Sequence, residues 1–295
     1  MKNYKKNIST LFVFLLLGAW FNVSNADECN AAGTVSAPIT ATASCATEPD
    51  IYKIKVYEMG LCTTAPTLAN MATACTSVSK IPAGGLITVA NGTNSAIPGT
   101  FTRPDNGSYS HGYIVIASEF RITATKTFVN GLIGQSHPTS GTTCWTLAGT
   151  KRNSNETTIY DGLTPVEIAD TPSVWLADCS DTAAAAAPAE TVIVQDSFSG
   201  SPIGAGGTAT AEATINGATI NAHLTDDTLA ALATTSADVT RLVGFVTFPT
   251  AVVITDESTT FTSSFRTTQG STLATNGTTI THMDSGPFVV NISVE

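Results

Sequence analysis

The chain has 295 residues, of which 42% are hydrophobic, 7% aromatic and only 12% charged, against a charged fraction of roughly 25% in ordinary globular domains. With 13 Lys+Arg against 23 Asp+Glu and a formal charge of −10, it lacks the basic stripe of a nucleic-acid binder. It is also too apolar for charge-rich disorder, and its length suits roughly two domains.

The N-terminus opens on a basic stretch, Met1-Lys2-Asn3-Tyr4-Lys5-Lys6, followed by an apolar run from Ile8 to about Val23. Ser24-Asn25-Ala26 puts small residues at the positions a signal peptidase reads, which predicts a signal peptide over 1–26 cut between Ala26 and Asp27. The apolar core is shorter than the roughly 20 residues of a membrane span. Asp27-Glu28 before Cys29 argues against a lipid anchor there, and the mature chain is expected to carry no membrane span. Loss of Lys2, Lys5 and Lys6 takes the formal charge from −10 to −13. The expected location is the periplasm, the cell surface or the extracellular space.

All six cysteines, Cys29, Cys45, Cys62, Cys75, Cys144 and Cys179, lie beyond that cut. An even number in an exported chain reads as disulfides, and the absence of a C-x-x-C pair leaves a zinc ribbon without support. The sequential pairing 29–45, 62–75 and 144–179 is expected. It puts Cys62 and Cys75 around a short Thr/Ala/Pro loop.

The elements read mostly as strands. Ile51 to Tyr57 alternates, with Tyr52, Ile54 and Val56 on one face and Lys53 and Lys55 on the other. Tyr113–Ile116, Phe120–Thr123, Val192–Val194, Val243–Phe248 and Ala251–Thr255 are further candidates. Asn216-Gly217 and Asn276-Gly277 lie between alternating flanks and predict two-residue hairpins, because both central residues of a type I′ turn need positive φ. Thr225-Asp226-Asp227 predicts the start of a helix reaching about Leu242, with acids in its first turn. In the last strand, Phe288, Val290, Ile292 and Val294 share a face opposite Asn291 and Ser293.

The fold class expected is mostly β: two sandwich-like domains, Ig-like or jelly-roll-like, with at most one or two short helices. The Ala/Pro stretch 181–190 is taken as a linker. It would separate a disulfide-containing β domain, 27–180, from a cysteine-free, Thr-rich one, 191–295. Threonine numbers about 50 residues, far above ordinary usage; it is β-branched and solvates an outer sheet face without charge.

Motifs that carry chemistry are weak. Gly107-Ser108-Tyr109-Ser110-His111-Gly112 has Ser108 where a nucleophile elbow needs glycine. His111, His137, His223 and His282 form no metal-ligand spacing. The neighbouring acids Asp27-Glu28, Asp226-Asp227 and Asp256-Glu257 are no glycosidase dyad by themselves, since neighbours on a strand point apart. Gly204-Ala205-Gly206-Gly207 lacks the lysine of a phosphate loop. Trp145 beside Cys144 and Trp175 near Cys179 read first as core and second as a sugar-stacking platform. No catalytic residue, metal site or cofactor is assigned.

No Lys follows Lys151, and beyond residue 190 the basic side chains are Arg241 and Arg266. Soluble β proteins guard open strand edges with charge, especially Lys. Sheets without that guard suit a subunit that meets copies of itself edge to edge. The expectation is therefore a non-enzymatic structural subunit of a filament, pilus-like appendage or surface layer, with Phe288, Val290, Ile292 and Val294 as its assembly strand. The alternatives are an adhesin or carbohydrate-binding module, with a surface glycan or protein receptor, and a secreted hydrolase. The layout of two β domains ending in an alternating strand is similar, in outline only, to chaperone–usher adhesins. Val294 stands where that family carries an aromatic residue, so no residue role is transferred.

Overall fold

The computed structural model describes residues 43–89, 99–134, 140–161, 164–166, 176–181, 188–199, 201–215 and 217–294. The expected signal peptide, Ala26, Asp27 and Cys29 lie outside them. So do His137 and Trp175.

The first third of the chain supplies β1 (Ala43–Thr47), β2 (Ile51–Cys62), β3 (Cys75–Val89), β4 (Thr100–Phe101), β5 (Gly107–Thr123) and β6 (Thr125–Leu132), with a one-turn helix α1 (Met71–Ala74) before β3. Short strands follow: β7 (Gly141–Thr146), β8 (Gly149–Arg152), β9 (Asn155–Asp161), β10 (Thr164–Val166), β11 (Ala177–Cys179) and β12 (Thr191–Val194). The last third gives β13 (Thr210–Ile215), β14 (Ala218–Thr225), β15 (Arg241–Ile254), β16 (Phe261–Arg266), β17 (Ser271–Thr275), β18 (Ile280–Ser285) and β19 (Val289–Val294).

β5 is the spine. Along one side it pairs with β2; along the other it pairs first with β15, over 107–117, and then with β12, over 119–122. The result is one branched sheet. One arm runs through β2 to β3 and β4, a second through β15 to β14 and β13, and a third through β12 to β8, β9 and β10. The run Tyr113-Ile114-Val115-Ile116 explains the central place of β5, because a strand covered on both faces needs apolar residues at every position. Ile114 and Ile116 enter the main core, while Tyr113 and Val115 join a second cluster on the opposite face with Val243, Phe245 and Tyr57.

Three small sheets, β1-β17-β18, β6-β7-β11 and β16-β19, complete the structure. The main core draws on the large sheet and on all three, uniting Tyr52, Ile54, Ile116 and Phe120 with Phe128, Cys179, Phe265, Leu273, Met283 and Val290. The architecture is mostly β and sandwich-like. The alternation in β2 is as expected: Tyr52, Ile54 and Val56 are buried, and Lys53 and Lys55 are on the other face.

Strands on both sides of residues 181–190 share sheets: β5 pairs with β12 and β15, and β1 pairs with β17. This non-local pairing completes sheets that neither segment closes alone. Two expectations in the last third of the chain are corrected. The helix over 225–242 is absent: a loop holds a three-residue 3₁₀ turn at Ser236–Asp238. Leu229 sits at φ 59° and the Asp226 carboxylate accepts from Thr228 N and Oγ, so a local turn replaces the cap. The two strand candidates near 243–255 are one strand, β15, with a register shift between Thr247 and Val252.

The hairpin at 216–217 is a two-residue turn between Ile215 and Ala218, with Gly217 at φ 82°. The loop at 276–279 has four residues instead of two, because the Asn276 side chain accepts from the N–H groups of Thr278 and Thr279 and holds a wider turn.

Candidate functional site

Two disulfides are present as expected, Cys62–Cys75 and Cys144–Cys179. Each joins directly opposed residues of an antiparallel pair, β2–β3 and β7–β11. Cys45 is buried and disulfide-bonded, and its expected partner Cys29 lies outside the described residues. The bonds fit an oxidising, exported environment. No helix among the described residues is long and apolar enough to cross a membrane.

The residues weighed for catalysis are scattered. Ser110 Oγ and His111 Nδ1 are 2.8 Å apart, but they are neighbours inside β5 and not on the sharp strand-to-helix turn that presents a nucleophile. His223, on β14, stacks edge-on against Phe245, and burial lowers its pKa. His282 pairs through its backbone with Ala274 in β18. Asp226 and Asp227 lie in the loop after β14, whereas Asp256 and Glu257 follow β15. Among the described residues no group of three or more His, Cys, Asp or Glu side chains is placed to hold a metal ion. Trp145 is buried and therefore offers no platform to a sugar. Gly204 to Gly207 forms a tight turn in which Ala205 N and Gly207 N donate to Pro202 O.

A polar seam runs beneath the large sheet. Lys151 on β8 is fully buried and reaches Asp284 on β18 at 2.5 Å. Gln195 Oε1 accepts from Ser285 Oγ. Asp196 receives Ser154 N, Ser154 Oγ and Arg152, and its carbonyl accepts from Ser236. Charge meets opposite charge, and the seam ties the β8–β12 arm to β18 and to the 236–238 turn.

The expected assembly strand is placed differently from the alternation alone. Phe288 precedes β19 and packs among Tyr52, Phe120 and Phe265. Val289 and Val290 are both buried, in different clusters: Val289 with Ile215, Ala218, Ile220 and Val246, and Val290 in the main core. Ile292 and Val294 are half-buried against Leu61, Tyr109 and Val252. Phe248 packs in the same cluster, and Gly112 makes room for it, since a Cβ there would meet the Phe248 ring at 2.7 Å. The side chains of β19 thus pack into the core of their own chain, while its backbone pairs, among the described residues, with β16 alone.

A further open strand margin lies on the large sheet: among the described residues β13 pairs only with β14, and its outward alternation exposes Thr210, Glu212 and Thr214. Glu212 is its single charge. On another arm β3 pairs outward with β4 at Ser79 and Lys80 alone among the described residues. Leu86 is 54% exposed there.

No protein-family model, no curated protein and no solved structure matches the chain. The functional reading therefore rests on these margins and on the outer face of the large sheet.

Sequence reasoning missed a cluster on that face. Arg241 on β15 stacks over the Tyr57 ring at 3.8 Å, and Lys55 lies 5.4 Å from the same ring. Lys53 and Arg121, also outward, share the Glu190 carboxylate at 2.6 and 3.0 Å. These two cations hold the Glu190 carboxyl below its ordinary pKa. The outward parity of Lys55 and Tyr57 was visible in the alternation; the arrival of Arg241 was not.

Proposed function

We propose that the chain is an exported structural subunit that assembles with copies of itself through open strand margins, in a filament, a pilus-like appendage or a surface layer. The observation that carries this reading is β13, a regular six-residue margin strand paired on one side, without Lys or Pro and with a single charge. Unpaired N–H and C=O groups on such an edge are a template for another strand. A monomeric β protein ordinarily guards that edge with lysine, proline or a bulge, and Thr210-Ala211-Glu212-Ala213-Thr214-Ile215 has none of these. β19 has a different part in this reading: it completes the core of its own chain.

The test is the assembly of the purified mature protein, followed by sedimentation and negative-stain microscopy. Wild type is expected to form ordered assemblies as its concentration rises. Lysines in place of Thr210, Glu212 and Thr214, all exposed, are expected to keep the protein monomeric without lowering its melting temperature. A wild-type chain that stays strictly monomeric at millimolar concentration overturns the reading.

A further inference from the structure

The outer face of the large sheet and one end of the same molecule are opposite in charge and both partly apolar. On the face, Lys55 and Arg241 converge on Tyr57 from strands that flank β5 on either side. Neither cation forms an ion pair with a described carboxylate; Arg241 otherwise donates only to Thr240 O, a neighbour in sequence. This is unusual in a chain where acids outnumber bases and where Lys53, Arg121, Lys151 and Arg152 all meet carboxylates. Gly84 lies directly under the pair: a Cβ there would meet Lys55 Cε at 2.5 Å and Tyr57 Cε1 at 2.8 Å. Lys55 thus lies down over Gly84, beside the Tyr57 ring. Leu86 stands opposite Lys55 in the β2–β3 register and so shares this face, as does Ile51, two strand positions before Lys53. Both are exposed large apolar side chains.

The other surface is the end where β5 begins and β15 finishes. Asp105, Asp256 and Glu257 are all exposed there. Arg103, the one cation among them, is occupied by the carbonyls of Pro104, Thr255 and Ser258 and by Asn106 Oδ1. Asn106 in turn donates to Asp256, which fixes the two turns against each other. Phe101 and Val253, 51% and 58% exposed, flank this acidic end, and the Phe101 ring packs tilted against Phe261 with centroids 5.0 Å apart.

We propose that the Lys55–Tyr57–Arg241 face receives the acidic end of a second copy of this chain, carboxylates of Asp256 and Glu257 against the two cations and Phe101 and Val253 against Leu86 and Ile51. The two surfaces lie on different parts of one molecule, so each copy can use both at once with different neighbours; such a head-to-tail contact builds a ring where the rotation closes and an open array where it does not. Complementary charge sets the register and speeds encounter. The inference rests on the self-assembly proposed above and adds a second contact to the strand margin.

A charge swap tests it, measured as the critical concentration for assembly. Lys55→Glu with Arg241→Glu, and separately Asp256→Lys with Glu257→Lys, are each expected to raise that concentration at least about tenfold. The quadruple variant is expected to restore it. Raising the salt from low to high is expected to weaken wild-type assembly, since rim charges are screened. Lys55→Gln with Arg241→Gln, which keeps the side-chain stems over Tyr57, is expected to shift assembly in the same direction, and guards against a misfolded reversal variant. Unchanged assembly in both charge-reversed pairs, or a quadruple variant no better than either, overturns the inference while the strand-margin reading stands. Binding of an acidic polysaccharide such as polygalacturonate, lost in Lys55→Glu/Arg241→Glu while assembly is unaffected, overturns it in favour of a glycan. A wild-type chain that never assembles defeats both.

Discussion

Lys151 Nζ lies 2.5 Å from Asp284 Oδ1, and the lysine is wholly shielded from solvent. The two residues are 133 positions apart and belong to different sheets, β8 in the branched sheet and β18 in a small one. A buried charge is tolerated only where its partner is close.

Removing one member leaves the other uncompensated. Asp284→Asn or Lys151→Ala is therefore expected to destabilise the fold by about 3–5 kcal/mol. The double replacement Lys151→Met with Asp284→Leu is expected to recover most of that loss, because no buried charge remains. Chemical denaturation with a double-mutant cycle measures both, and equal destabilisation by the single and double variants would contradict the account.

The interleaved strands predict a single unfolding transition. β5 binds β2, β12 and β15 at once, and β1 closes on β17, so no half of the chain can open alone. Replacing Cys144 and Cys179 by Ala is expected to cost about 4 kcal/mol, and the Cys62–Cys75 pair about 3, from the loop lengths they close. Calorimetry is expected to show the whole transition moving in each variant. A melting step near residues 191–294 that ignores both disulfides would show that those strands fold separately.

Aromatic packing at the sheet junction sets a third expectation. Phe265 is fully buried and its ring lies 6.0 Å from Phe288, which in turn touches Tyr52 and Phe120. Phe265→Ala is expected to lose about 3–5 kcal/mol. Phe101→Ser, at a half-exposed ring, is expected to change stability by no more than about 0.5 kcal/mol. Urea midpoints for the two variants separate core from surface directly.

Acid weakens the fold through at least two groups. Burial lowers the His223 pKa from 6.5, so the unfolded chain takes up this proton at a higher pH than the folded one. Stability from neutral His223 is full above 6.5 and declines as pH falls below it. Glu190, held ionised chiefly by its hydrogen bond from Lys53 and also by Arg121, adds a second decline below its ordinary value of 4.5. His223→Gln is expected to flatten the dependence of melting temperature between pH 7 and 5 and to leave the lower step intact. Glu190→Gln is expected to do the reverse.

The sequential pairing expected of the cysteines matches both described disulfides, and the alternation of apolar and polar residues was enough to find β2, the core of β5, β12 and the two hairpins. It misled at 225–242, where acids beside threonines resemble a helix start but satisfy themselves in a local turn. At β19 it identified the strand but not the burial of both Val289 and Val290, which lie in different clusters. The candidate surfaces were legible only in part: the absence of Lys after Lys151 could be read directly, whereas the place of β13 at a margin depends on pairing and the Lys55–Tyr57–Arg241 cluster joins positions far apart in the chain.

Local order alone, then, determined that this protein is a disulfide-bonded chain of strands with hydroxyl-rich outer faces, because period-two burial and turn chemistry act between near neighbours. Only the folded molecule decided which strands share a sheet, that strands from the first and last thirds of the chain pair with one another, and which cations face solvent together. Backbone hydrogen bonds are the same for every residue, so a strand's own pattern says which side is buried and is silent about who lies beside it.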